Sequence, residues 1–343
     1  MAFTTIDNPE LYFQTKLVIG NGGTQAITLD GSEDMSPNIV WTKQRSGTAN
    51  HLCYDTARGV GRYLYPNLNN AQGGNGTDSG LSAFSTDGFT LTSGDDANAS
   101  GQTGVAWCWN ESASAGIDVV SWTGNATNRT ISHSLSPLVP RMMIIKNADT
   151  TDNWFVYHQS MGNNTYMHLE TVNAGLSPST NQFQATTPTS SVFSIGTADG
   201  VNKNTSTIVC YCFAPVQGFS KFGNYRGNSA NDGSYVWTGF KPAYVMIKAY
   251  ANDSGSNNWF IADNKRHSVT PPSGQKNFNT VDRQLYANLN NADDTNAEID
   301  FLSNGFKFRR DGGDTNYSGR DFAYAAFAEA PFVNSSGVPG NAG

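Results

Sequence analysis

The sequence predicts an all-β protein built as three tandem β-sandwich repeats of jelly-roll or concanavalin-like form. Three observations carry this. Charged residues make up only 14% of the 343-residue chain while Gly, Asn, Ser and Thr are abundant. Such a composition does not suit long surface helices, whose wet faces use Glu, Lys and Arg. Apolar runs are short and bounded by Gly, Asn, Asp, Pro and Ser, as expected of strands between polar turns, and no stretch keeps helical periodicity over three turns. Finally, the same markers recur three times in the same order, the signature of a repeat architecture. Aromatic residues at 12% supply apolar area to bury, so a chain this polar is still expected to fold.

The N-terminal stretch MAFTTIDNPELYFQTK has neither a basic n-region nor an apolar h-region and is not read as a secretory signal. The first marker follows: a Gly-Asn turn, a stretch ending in Pro, an apolar triplet and a Lys. It reads Gly20-Asn21 with PNIVWTK (37–43), Gly124-Asn125 with PRMMIIK (140–146) and Gly227-Asn228 with PAYVMIK (242–248). Pro37 to Pro140 is 103 positions and Pro140 to Pro242 is 102. The second marker, YLYPNLNNA (63–71), YMHLETVNA (166–174) and QLYANLNNA (284–292), keeps the same 103-residue step between Tyr63 and Tyr166. Its alternation predicts a strand with Leu64, Met167 and Leu169, and Leu285 inward, against Tyr65, Asn67, His168, Glu170, Tyr286 and Asn288. Pro66 places that strand at an edge or a bend.

The third marker is FSTDGFTL (84–91), matched by FLSNGFKF (301–308) and loosely by SSVFSIG (190–196). Asp87-Gly88 and Asn304-Gly305 are expected in hairpin turns that need positive φ. The last is VAWCWNE (105–111), VCYCFAP (209–215) and AYAAFAE (323–329), in which a small residue (Cys108, Cys212, Ala326) precedes a large aromatic (Trp109, Phe213, Phe327). The repeats therefore run 1–112, 113–216 and 217–343, the last with a short C-terminal tail.

A net charge of −7, with no run of Lys and Arg longer than two residues (Arg309-Arg310 is one), argues against a nucleic-acid surface. No apolar run approaches the ~18 residues of a membrane span, so no membrane insertion is expected. Cys53, Cys108, Cys210 and Cys212 are read as buried free thiols, since a C-x-C pair alone is too little for zinc. No nucleotide, zinc-protease, EF-hand or esterase motif is present, and no cofactor or metal is expected.

The sharpest enzymatic signal is Asp55 and Asp263, at one position of the first and third copies, each with an Arg three residues on (Arg58, Arg266). A glycoside hydrolase needs two carboxyl groups facing across a cleft. The second copy has His158 and Met161 there, so paired replacement of Asp and Arg reads as a structural ion pair. Lys43, Lys146 and Lys248 share one position in all copies and are assigned to the fold. His51, His133, His158, His168 and His267 form no ligand spacing. Asp95-Asp96 and Asp293-Asp294 supply too few oxygens for calcium. Trp122, Trp154, Trp237 and Trp259 are the candidate sugar platforms, against a core reading for each. No catalytic, cofactor or metal residue is assigned, and recognition is expected where the copies differ, in loops 71–82, 174–189 and 267–282.

NGGTQAITLDGSEDMSPNIVWTKQRSG (21–47), FSTDGFTL, VAWCWN, GFSKFGNYRGN (218–228) and AAFAEAPF (325–332) together resemble a repeat family of tail-fibre-like virion proteins from tailed, often marine, bacteriophages. The resemblance covers nearly the whole chain. It implies a non-enzymatic virion protein, assembled in the host cytoplasm, that contacts other virion proteins and itself and meets a host-surface glycan. A homotrimer is favoured by analogy with fibres. The repeat begins almost at Met1, so attachment is expected through the first repeat, the tail 333–343 or a lateral face. The rivals are a capsid decoration or head-fibre protein and, in another class, a polysaccharide-degrading virion enzyme.

Overall fold

Strands account for 42% of the chain and helix for 7% in the computed structural model, which makes the protein all-β. It describes residues 4–74, 76, 79–252, 257–267, 280–296 and 299–339. Residues 1–112 hold β1 (Phe13–Ile19), β2 (Gln25–Thr28), β3 (Ile39–Gln44), β4 (Leu52–Asp55), β5 (Leu81–Ser85), β6 (Gly88–Leu91) and β7 (Thr103–Trp109). Residues 113–216 hold β8 (Ile117–Thr123), β9 (Arg129–Ser132), β10 (Met142–Asn147), β11 (Phe155–His158), β12 (Met167–His168), β13 (Val192–Ile195) and β14 (Thr207–Phe213). The remainder holds β15 (Ser220–Arg226), β16 (Tyr235–Trp237), β17 (Phe240–Ala251), β18 (Phe260–Asp263), β19 (Thr280–Val281), β20 (Leu285–Tyr286), β21 (Ile299–Leu302), β22 (Gly305–Phe308) and β23 (Asp321–Pro331). The α-helices α1 (Thr180–Phe183), α2 (Asp199–Asn202) and α3 (Gly313–Asn316) are single turns.

Three larger antiparallel sheets have the orders β1-β7-β3-β4, β8-β14-β10-β11-β12 and β15-β23-β17-β18-β20. Three smaller ones are β2-β6-β5, β9-β13 and β16-β22-β21-β19. The strand carrying the VAWCW-type marker is thus second in every larger sheet, beside the strand of the Pro-triplet-Lys marker. In β7 and β14 every residue after the first is buried. Burial of both faces explains why these segments read as continuous apolar runs instead of alternating ones.

One face packs on a smaller sheet: Val40, Cys108 and Phe89 meet there in the first copy, and Ile145, Cys212 and Phe193 in the second. The other face turns to a core shared by all three larger sheets, which contains Trp107, Tyr211 and Tyr244. At its centre Trp109, Phe213 and Phe327, one from each copy, form a triangle with ring centroids 6.3, 5.7 and 5.8 Å apart. The central hollow beside them is 30 Å³ and apolar, about the room of a single water and without groups to hold one.

Two expectations need correction. The hairpins β5–β6 and β21–β22 exist, but pairing of Ser85 with Gly88 and Leu302 with Gly305 makes each glycine the first strand residue, not a loop residue. Gly88 has φ +124° and Gly305 has no such positive φ. Close approach is what both share: a Cβ would lie 2.0 Å from the Ile27 carbonyl oxygen at Gly88 and 2.1 Å from that of Val236 at Gly305. The second marker is also not a one-faced strand. It is an edge, as Pro66 implied, but only two residues long in β12 and β20, and His168, Asn67 and Asn288 are buried with Met167 and Leu285. Its outer side meets the neighbouring copy.

A fold-holding residue type escaped the sequence reading. Asn98, Asn202 and Asn316 are fully buried beside short helical turns. Each Oδ1 accepts from the Asn of a Gly-Asn marker, at 3.2 Å from Asn21, 3.0 Å from Asn125 and 3.2 Å from Asn228. Each Nδ2 donates to backbone carbonyls, for example those of Thr127 and Gly196 from Asn202. The glycines before them are excluded from bearing a side chain by carbonyls within 2.0–2.3 Å of the Cβ position. The Asn202→Ala variant is expected to lose about 1–3 kcal/mol, because the buried Gly196 carbonyl and two part-buried backbone groups lose their partner. A shift of the urea midpoint reads this, and a change below about 0.5 kcal/mol would contradict it.

Candidate functional site

The chemistry-bearing residues gather at three seams, where corresponding positions of the copies repeat one contact. The Trp154 ring N–H donates to the Tyr65 carbonyl at 2.9 Å and the Trp259 ring N–H to that of His168 at 2.9 Å. His51 does the same to the Tyr286 carbonyl at 3.0 Å. Its Nδ1 accepts from Trp41 Nε1, so Nε2 carries the proton. Backbone bonds follow the same cycle: Gln72 to Ala148, Gly175 to Tyr250 and Asp293 to Arg45, at 2.7, 2.9 and 2.9 Å. The first copy thus joins the second, the second the third, and the third the first. The ring is closed.

Asp55 and Asp263 belong to these seams. Arg58 Nε donates to Asp55 at 2.7 Å and Arg266 Nε to Asp263 at 2.5 Å, all four side chains being essentially buried. The second carboxylate partner comes from the next copy: Tyr211 donates to Asp55 at 2.7 Å and Trp107 to Asp263 at 2.9 Å. In the remaining seam the position of Trp107 and Tyr211 is occupied by Ala325, which has no donor. There His158 replaces the aspartate and donates from Nε2 to the Tyr324 carbonyl at 3.1 Å, its Nδ1 accepting from Ser160. The second copy thus lacks both the Asp-Arg pair and the side-chain donor that faces it in the other two seams. Burial keeps His158 neutral, down to about 4, and holds His51 well below its ordinary value.

The three lysines also hold chain together. Lys146 Nζ donates to the carbonyls of Asn147 and Thr150, Lys43 to that of Gln44, and Lys248 across a seam to Val172 and within its own copy to Asn257. Burial pushes Lys43 and Lys146 down to about 8. All four cysteines are free and buried, and burial pushes the Cys53 thiol up to about 12, far from a reactive thiolate.

A family model, Domain of unknown function (DUF7483), matches residues 8–331. The chain belongs to the DUF7483 family. The matched segment runs from just before β1 to the end of β23, so it takes in all three seams rather than a single copy. Neither the search of curated proteins nor that of solved structures returned a match.

The other candidates in the DUF7483 chain separate by burial. Asp95 is buried and accepts from Thr42, Tyr54 and the Ala97 backbone, while Asp293 binds Arg45 and Arg266. Neither is free to take a cation, and no cluster of three or more metal-ligating side chains occurs among the described residues. Among the described residues, the His133 and His267 rings bond the Thr189 and Asn264 carbonyls and the Leu135 backbone N–H. Trp154 and Trp259 are core, and half-buried Trp122 donates to the Val201 carbonyl at 3.2 Å. Trp237 alone of the four keeps an open face, being 56% exposed. Of the variable loops, 71–82 and 174–189 begin on seam residues, and the second buries Phe183 of α1. Residues 75, 77, 78 and 268–279 of the first and third loops lie outside the described residues.

Glu170 fastens the second marker within its own copy by accepting from the Trp154 backbone N–H at 3.1 Å, and burial pushes its carboxyl up to about 7. Between about 4.5 and 7 the folded chain keeps a proton that the unfolded chain has released, so this group's contribution to stability falls as pH rises. His51 and His158, depressed by burial, act in the opposite sense there. The effect is therefore read as a difference: relative to Glu170→Gln, the wild type is expected to lose of order 1–2 kcal/mol from pH 4.5 to pH 7.5. Parallel pH profiles for the two proteins would refute it.

Proposed function

We propose that this chain is a non-enzymatic structural protein of a tailed-bacteriophage virion, a tail fibre or tail appendage that contributes to host-surface attachment. Its finer architecture is proposed to be three tandem β-sandwich units, 1–112, 113–216 and 217–343. The observation that carries the reading is ring closure: three copies share one apolar core, and the buried Asp55, Asp263, His51, His158 and Lys248 are spent on the seams between them. This makes a rigid spacer with recognition left to its periphery. The sequence resemblance to tail-fibre-like virion proteins supports the same class.

One chain already arranges three copies about an axis. Contacts with other virion proteins are proposed at the ends of that axis, and self-association, a trimer by fibre analogy, would join whole rings. Labelling purified virions with an antibody against the chain tests the placement. Label on tails is the expected result. Label on heads would replace the reading with a capsid decoration protein, and absence from particles would end it. Release of reducing ends from host polysaccharide by the purified chain would favour the enzymatic rival.

A further inference from the structure

We infer that the outer face of β16 is a carbohydrate platform, on which Tyr235 and Trp237 stack the pyranose rings of an acidic polysaccharide. The choice of ligand rests on the attachment reading; the site itself rests on four observations. Tyr235 and Trp237 are 45% and 56% exposed, while Val236 between them is buried, so both aromatics stand on one face about 6.8 Å apart along the strand. The fold does not require them. In the same register the first copy has Ala26 and Thr28 opposite its glycine-led partner strand, and the second has Thr130 and Ser132 opposite β13.

The rings are also held in place from the protein side. Lys221 reaches over from β15, donates to the Trp237 carbonyl at 2.8 Å and sets its Nζ 4.1 Å from the Trp237 ring centroid. With one face so covered, the exposure of Trp237 belongs to the other face and the rim. The Tyr235 hydroxyl donates to Asn304 Oδ1 at 2.7 Å. Fixing an aromatic before binding removes an ordering cost that a loose surface side chain would carry. An amphipathic ring of this kind offers its face to sugar C–H groups and leaves hydroxyls for polar neighbours.

Those neighbours set the charge preference. Lys307 lies opposite Tyr235 in β22, and Lys307 and Arg309 both approach Asp232, at 2.6 and 3.9 Å. Arg309 also pairs with Asp300 at 2.5 Å. Lys221, Lys307 and Arg309 against Asp232 and Asp300 leave a local excess of one positive charge on a chain of net charge −7. That complementarity favours an anionic glycan over a neutral one.

The test compares the full chain with a Tyr235→Ala, Trp237→Thr double variant, which installs the residues the first copy carries. Both are passed over immobilised alginate, gellan and xanthan, with dextran and laminarin as neutral probes. Expected are an unchanged melting temperature, retention of the wild type by an acidic polymer, and at least tenfold weaker retention of the variant. Retention of the wild type by no acidic polymer, or equal retention of both proteins, overturns the platform. So does a wild type that sediments as a dimer while the variant is monomeric, since β16 would then be an edge that pairs copies. Equal adhesion of both proteins to host cells would remove the platform and leave the attachment reading standing. Platform binding by a chain missing from virions would do the reverse.

Discussion

Arg266→Ala is expected to destabilise the protein by about 3–5 kcal/mol, a large share of the roughly 5–15 kcal/mol that holds a typical domain folded. Arg266 is fully buried and binds Asp263 at 2.5 Å, Asp293 at 2.7 Å and the Ile261 carbonyl at 3.2 Å. Its guanidinium also lies 5.5 Å from the Trp107 ring, which donates to the same Asp263. Truncation leaves Asp263 without a cation at the seam between the third and first copies, while Asp293 keeps Arg45, and the stranded Asp263 charge is the main penalty. Adding Asp263→Asn to Arg266→Ala should therefore cost less than Asp263→Asn alone, because one uncompensated charge has gone. Urea midpoints of the four proteins measure both effects. A loss under 1 kcal/mol for Arg266→Ala, or strict additivity, would show that the pair does not hold the seam.

Phe327→Ala should cost a comparable 3–5 kcal/mol, and its spread matters more than its size. Phe327 stacks on Phe13 at 5.3 Å besides meeting Trp109 and Phe213, so it touches all three copies. A cavity there removes dispersion partners from three sheets at once. Hydrogen-exchange protection is expected to fall together in β7, β14 and β23, with a single thermal transition moved down. A loss confined to residues 217–343 would mean three independent cores and would refute the shared one.

Much of the fold was legible in sequence because the signals are local. Short apolar runs between Gly and Asn gave strands, and equal spacing related the recurring markers. The Asp55–Arg58 and Asp263–Arg266 pairs were readable from their joint replacement in the second copy. What escaped was whatever depends on a partner far along the chain. Asn98, Asn202 and Asn316 look like ordinary loop asparagines in an Asn-rich sequence; only the approach of the Gly-Asn turns makes them buried hubs. His168 and Asn67 were placed outward because strand alternation assumes water on the far side, and the far side is the neighbouring copy. Of the candidate platforms, Trp237 could not be told from Trp122 until exposure separated them.

By itself the sequence determined that the chain is β-rich and that three related stretches follow one another. Those properties come from residue preferences and spacing within a few positions. The tertiary structure alone decided that the stretches close into a ring instead of a string. A repeat period specifies what each copy is, but not which faces meet. Closure depends on Trp107, Tyr211 and Ala325, one equivalent position with three different chemistries: Trp107 donates to Asp263 and Tyr211 to Asp55, while beside donorless Ala325 the Tyr324 carbonyl takes the bond from His158. Tertiary structure likewise decided that the second marker, YLYPNLNNA in the first copy, is a junction: its Tyr65 carbonyl receives the Trp154 ring N–H of the next copy.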